Sequence, residues 1–150
     1  MELLVPPPLV GLTVAAGMWA AAHIPPALQF SNPGRVLVAA VLVAIGVAVG
    51  IGGVMSFRRA KTTVNPLKPE TSAALVSTGV YAFTRNPMYL GMVLVLFAWA
   101  VYLSSIWSLV GPVIFILYIT RFQIVPEERV LDRLFGAPFA EYKKRVRRWL

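Results

Sequence analysis

Thr78-Gly79-Val80-Tyr81-Ala82-Phe83-Thr84-Arg85-Asn86-Pro87-Met88-Tyr89-Leu90-Gly91 is a short polar turn set directly before an apolar run long enough to enter a bilayer. Arg85, Asn86 and the two tyrosines place hydrogen-bonding side chains at a membrane surface, where polar groups are costly without a partner or a ligand. The stretch therefore reads as one wall of a ligand site at that surface.

The composition fits a membrane setting. The chain is 58% hydrophobic and 13% charged, against a charged fraction of about 25% in soluble domains. Its formal charge of +8 raises the question of nucleic acid. The basic residues, however, cluster just outside apolar segments, the pattern of orientation signals and lipid headgroup contacts, so no nucleic-acid partner is expected. Cysteine is absent, which removes disulfides, thiolate metal sites and cysteine nucleophiles. His23 is the only histidine; with no second histidine or carboxylate near it in sequence, it reads as an interfacial residue, and no metal site is expected. The N-terminus lacks the basic start of a signal peptide, so the first apolar run is expected to be retained.

Residues 9–24, 36–57, 87–103 and 106–124 are apolar enough to be read as four membrane-spanning helices in two hairpins. Pro25-Pro26 closes the first, and Ser31-Asn32-Pro33-Gly34 is a turn signal before the second. Gly46, Gly50 and Gly53 fall roughly along one face of the second. Gly50-Ile51-Gly52-Gly53 has no strand-to-helix context, so these glycines read as helix-packing positions rather than a nucleotide loop. The chain forms a single domain, with residues 1–60 as a first helical hairpin and 61–150 as the core that would hold a ligand.

Arg58, Arg59, Lys61, Lys68, Arg85, Arg121 and the basic tail fall on one side of this arrangement, with Arg35 alone on the other. The positive-inside rule then places both termini in the cytoplasm. Ser104-Ser105 leaves so short a connection that the third and fourth spans must be antiparallel neighbours, bringing Arg85, Asn86 and Tyr89 close to Arg121 and Gln123. Pro126 is expected to break or kink the fourth helix, followed by an amphipathic helix on the inner surface. The tail with Tyr142, Lys143, Lys144, Arg145, Arg147, Arg148 and Trp149 is expected to adhere to anionic headgroups.

Two polar groups thus meet at one surface, Tyr81, Arg85, Asn86 and Tyr89 from one side and Gln123, Glu127 and Glu128 from the other. Arg85 and the tyrosines would also serve as membrane anchors, and Glu127 and Glu128 as favourable charges in the first turn of a helix. Spacing alone leaves site and anchor both open.

The segments from Leu75 through Gly91 and from Glu127-Glu128 through Leu131, Phe135-Gly136 and Glu141-Tyr142-Lys143-Lys144-Arg145-Val146 resemble the isoprenylcysteine carboxyl methyltransferase family. Phospholipid methyltransferases share much of the same pattern. The resemblance covers about residues 62–150 and implies an integral membrane methyltransferase using S-adenosylmethionine without a Rossmann domain. It implies that Leu75, Val76 and Tyr81 lie against the cofactor, that Asn86, Pro87, Met88 and Tyr89 line its pocket, and that Arg85 supports the turn. Glu127 would hold the cofactor's amino group. Asn86 stands where the prenylcysteine enzymes have a histidine, and Gln123 where they have an arginine for the substrate carboxylate; Arg121 lies nearby on another helix face.

The activity implied is methyl transfer to a lipophilic acceptor, isoprenylcysteine carboxylate-like or phospholipid amine-like, entering from the bilayer. Arg85, Asn86 and Glu128 are the catalytic candidates, and Gln123 and Arg121 the substrate-binding ones. An amine acceptor must lose a proton, for which Glu128 or Glu127 are the only nearby acids; an anionic acceptor needs no base. The competing reading is a non-enzymatic membrane protein that binds or scaffolds lipid.

Overall fold

The computed structural model describes residues 2–24, 33–60 and 69–150, and the elements formed among these are all helices. The expected turn at Pro25-Pro26, its continuation at Ser31-Asn32, and Lys61 and Lys68 lie outside the described residues. The helices are α1 (Pro7–Ala22), α2 (Arg35–Arg59), α3 (Pro87–Leu103), α4 (Val110–Ile119), α5 (Val125–Phe135) and α6 (Ala137–Arg145). Short 3-10 turns occupy Pro69–Thr71, Gly79–Ala82 and Ile106–Leu109.

Proline opens α1 and α3, where its missing N–H costs nothing. Ser104 closes α3 in the left-handed region at φ 51°, giving the tight reversal expected at Ser104-Ser105. The chain then re-enters through the 3-10 turn, whose Ser108 hydroxyl donates to the Met18 carbonyl of α1 at 3.2 Å. Both serines of the turn are buried.

α3 is central. α2 packs along it on one side, while α1 packs on α3 and on α4. The first two helices are thus each packed against α3. The α2–α3 seam is backbone-close: a Cβ added at Gly46 would sit 2.7 Å from the Gly91 carbonyl, and one at Gly53 2.9 Å from Met88. Gly50 contributes its backbone to the same seam opposite Gly91. The glycine face read from the sequence is therefore a packing face.

Arg35–Arg59 and the continuous helix Ile106–Phe135 are long and apolar enough to cross a membrane; α1 and α3, at 16 and 17 residues, are shorter apolar helices. Large apolar side chains stand exposed on the outside of the bundle, among them Leu12, Val36, Leu37, Val41, Ile114 and Leu117. An outer surface this apolar suits hydrocarbon rather than water.

Pro126 does not break the helix. The chain widens instead into a π turn over Thr120–Ile124, with the Val125 N–H reaching the Thr120 carbonyl, and continues directly into α5. Pro126 has no N–H for the Phe122 carbonyl four residues back. That acceptor is served from outside the helix, by the Leu3 N–H at 3.0 Å. A π turn of this kind absorbs a local misfit without ending the helix.

The tail folds back: Tyr142, Phe139 and Val146 form a small core with Leu75, Leu131 and Phe135, and Trp149 packs on the main core that includes Tyr89 and Ile124. Lys144, Arg145 and Arg147 stay exposed on its outer side.

Candidate functional site

At the end of the bundle where α3 starts and α5 begins, a cleft is walled by Leu75, Val76, Tyr81, Arg85, Asn86, Met88 and Tyr89, facing Ile124, Glu127, Glu128 and Leu131. Phe57 of α2 and Phe139 and Tyr142 of α6 complete it. Its interior volume is about 100 Å³, below the roughly 300–1,000 Å³ of ordinary ligand pockets. A ligand of cofactor size therefore requires the walls to part.

The floor of the cleft is a three-residue cluster. Tyr89 hydroxyl donates to Glu127 Oε1 at 2.6 Å, and Gln123 Nε2 donates to the same oxygen at 2.7 Å. Gln123 and Glu127 lie four residues apart across the π turn, so the turn sets their shared face. Among the described residues Oε2 of Glu127 receives no hydrogen bond.

Glu128 faces a different partner set. Arg148 holds it with two bonds, Nε to Oε1 at 3.0 Å and Nη2 to Oε2 at 2.7 Å, and Arg85 Nη1 lies 3.0 Å from Oε1. The Arg85 and Glu128 side chains are only 12% and 15% exposed, so their pairing carries more weight than a surface ion pair. Arg85 Nε is buried and without a hydrogen-bond partner among the described residues.

Asn86 occupies the residue before α3 but does not cap it. Its Nδ2 donates instead to the Arg148 carbonyl at 2.9 Å, which Thr84 Oγ1 also reaches at 3.3 Å. The Arg85 N–H donates to the Arg147 carbonyl at 3.0 Å. The turn and the tail are therefore stitched together through backbone carbonyls. Tyr142 adds a fourth stitch, its hydroxyl donating to the Tyr81 carbonyl at 2.7 Å. Burial pushes both the Tyr81 and Tyr142 hydroxyls up from the ordinary tyrosine range, Tyr142 to about 12. Both remain protonated donors at neutral pH.

Leu75, Val76, Tyr81, Arg85, Asn86, Met88, Tyr89, Glu127 and Glu128 all line the cleft. Pro87 is buried at the start of α3, turned toward the Gly53 position of α2. Gln123 is buried behind Glu127 rather than in the lining. Arg121 is 63% exposed and pairs with Glu2 at 3.0 Å, so it belongs to the N-terminal segment and not to the cleft. Sequence reading missed Arg148, Tyr142, Phe139 and Phe57. Arg148 was indistinguishable in a basic run, and only the spacing of Tyr142 from Phe139 and Val146 on one helical face hinted at burial.

The phospholipid methyltransferase family profile matches residues 34–138. The chain belongs to that family, and membership indicates a methyltransferase with lipid-like substrates. Over 63 residues it is 46% identical to an uncharacterized protein of Haemophilus influenzae, covering 42% of this chain and all of that one. Over 85 residues it is 39% identical to protein-S-isoprenylcysteine O-methyltransferase of Saccharomyces cerevisiae, covering 53% of this chain. The match spans only 33% of the yeast enzyme's length. No solved structure matches the chain.

Proposed function

We propose that this chain transfers a methyl group from S-adenosylmethionine to a lipophilic acceptor that reaches the cleft from the bilayer. The observation that carries the reading is Glu127, fixed through one oxygen by Tyr89 and Gln123 while the other oxygen has no hydrogen bond among the described residues. A carboxylate so held suits an ammonium group. The residues present fit the cofactor in other respects as well. Among the described residues Arg85 Nε lacks a partner and the first turn of α3 has no side-chain cap, so positive groups face a carboxylate there. Phe57, Tyr81, Phe139 and Tyr142 offer faces for a heteroaromatic ring or a sulfonium cation.

When bound, the cofactor supplies an electrophilic methyl carbon on sulfur. The chain's own task is to hold the acceptor in line and keep water out. Arg148 bonds both oxygens of Glu128 and Arg85 lies beside one of them, an arrangement that makes Glu128 a poor proton acceptor. Glu128 is therefore an anchor for the tail, and the acceptor class favoured is an anionic group such as a carboxylate, which needs no base. A phospholipid amine is the second class in reach.

The membrane arrangement proposed is four crossings with both termini in the cytoplasm. Arg58, Arg59, Arg85, Arg121 and the tail share the cleft end of the bundle, and Arg35 stands alone at the other.

Calorimetric titration of the purified protein with S-adenosylhomocysteine tests the cofactor, with Glu127→Gln expected to weaken binding at least ~10-fold, the scale of a lost charged hydrogen bond. Labelled S-adenosylmethionine with a total lipid extract then reports the acceptor. No binding by the wild type, or equal binding by Glu127→Gln, returns the chain to the non-enzymatic lipid-binding reading.

A further inference from the structure

A second concavity lies at the opposite end of the bundle. Because α1 packs on α3 and α4 while α2 packs on α3, a trough remains between α1 and α2 with α3 as its floor. Ala15, Ala39, Ala40 and Ala98 keep it open, Val36 and Trp99 wall it, and its volume is about 430 Å³. The stretch of α2 along it, residues 36–43, gives about 10 Å of length at a rise of about 1.5 Å per residue.

Arg35 stands at the mouth of this trough. Its Nη1 donates to Ser104 Oγ at 3.3 Å, and its guanidinium carbon lies 5.9 Å from the centre of the Tyr102 ring, itself part of the lining. All six side-chain carboxylates of the chain are among the described residues, and none pairs with Arg35. A guanidinium has five N–H donors, and among the described residues one of them is used, by Ser104. No other lysine or arginine lies at this end of the described helices.

We propose that the trough holds an acyl chain of an anionic phospholipid, with the lipid phosphate on Arg35. A planar fork of donors matches phosphate oxygens, and in the bilayer an alkyl chain is the occupant that leaves no polar group unsatisfied. The site is separate from the cleft, since the α2–α3 seam is closed between them at Gly46–Gly91 and at Gly53–Met88. Its role is to fill the trough that α1, α2 and α3 leave between them. The inference rests on the membrane setting and not on methyl transfer.

Native mass spectrometry of delipidated protein, titrated with phosphatidylglycerol or phosphatidylcholine of equal chain length, tests it. The wild type is expected to retain phosphatidylglycerol at least ~5-fold better than phosphatidylcholine. Arg35→Gln is expected to remove that preference, and Ala40→Leu, which fills the trough from an exposed position, to lower retention of both. Arg59→Gln, at the other end of α2, is expected to leave the preference intact. Equal retention of the two lipids by the wild type, or an unchanged preference in Arg35→Gln, overturns the proposal. S-adenosylhomocysteine binding measured on the same samples separates this outcome from failure of the methyltransferase reading.

Discussion

The Leu3 N–H donates to the Phe122 carbonyl at 3.0 Å, the carbonyl that Pro126 cannot serve. Leu3 adopts φ 57° to make this bond, a left-handed conformation unfavourable for a residue with a branched side chain. Glu2 beside it pairs with Arg121 and Arg129, at 3.0 and 2.8 Å. The N-terminal segment thus closes the π turn that sets Gln123 and Glu127 on one face. Leu3→Pro removes the donor and cannot adopt φ 57°, so it is expected to cost more than the ~0.5–1.5 kcal/mol of the hydrogen bond alone and to weaken S-adenosylhomocysteine binding. Leu3→Gly keeps the donor and relieves the backbone, so its melting temperature should equal or exceed the wild type. The opposite ranking of the two variants would remove the clamp.

The same clamp has a pH signature. Arg129 and then Arg121 hold the Glu2 carboxyl below its ordinary range. A group whose pKa is lower in the folded state contributes stability above its unfolded value and loses it as pH falls through the folded one. The N-terminal clamp should therefore loosen on the acid side, below the usual glutamate range near 4.3. Amide exchange at Leu3 reports this directly. Glu2→Gln should show the loosened behaviour already at neutral pH, and added salt should mimic it in the wild type, since the pair is exposed.

Tyr89→Phe tests the floor of the cleft. It deletes one of the two donors to Glu127 Oε1 while keeping the ring in the core. The expected result is a several-fold loss in S-adenosylhomocysteine affinity and a stability cost of about 1–3 kcal/mol for a buried acceptor that loses one of its donors. Unchanged affinity would mean that Glu127 is not oriented by Tyr89.

The α2–α3 seam is tested by Gly46→Ala. The new methyl would meet backbone at Gly91, which cannot move aside as a side-chain tip would. Overpacking of this kind costs about 1–3 kcal/mol. Gly17→Ala, where nothing lies within 4 Å of the new carbon, is the control and should melt at or above the wild type, since alanine favours a helix interior by about 0.5–1 kcal/mol.

How far the sequence could be read depends on the range over which each signal acts. Proline at the first turn, a short serine connection and long uncharged runs are local, and they located α2, α3 and the reversal at Ser104. The antiparallel inference followed from chain length alone, and it brought Tyr89 to Glu127 correctly. Pro126 misled because its usual consequence assumes that the orphaned Phe122 carbonyl has no donor, and the donor comes from residue 3. Likewise Arg148 is one arginine of a basic run until its carbonyl and its guanidinium are seen to meet Asn86 and Glu128, 62 and 20 residues away. Nothing in local pattern distinguishes it from Arg147.

That long-range role of Arg148 sets the last prediction. Glu128 sits between two guanidinium groups, Arg85 well buried and Arg148 at the edge. Removing the carboxylate strands Arg85 without its ion-pair partner, whereas removing Arg148 leaves the Arg85–Glu128 pair in place. Glu128→Ala should therefore destabilise strongly, toward the ~3–5 kcal/mol of a broken buried pair, and Arg148→Ala by less. Arg148 also helps tie the tail over a cleft of about 100 Å³, so Arg148→Ala should make the tail easier to open. The expected readouts are faster proteolysis within residues 137–150 and faster S-adenosylhomocysteine association, with Glu127 contacts and hence the off-rate nearly unchanged. Equal destabilisation by the two variants, or an association rate unaffected by Arg148→Ala, would show that the tail is fixed scaffold rather than the wall that parts.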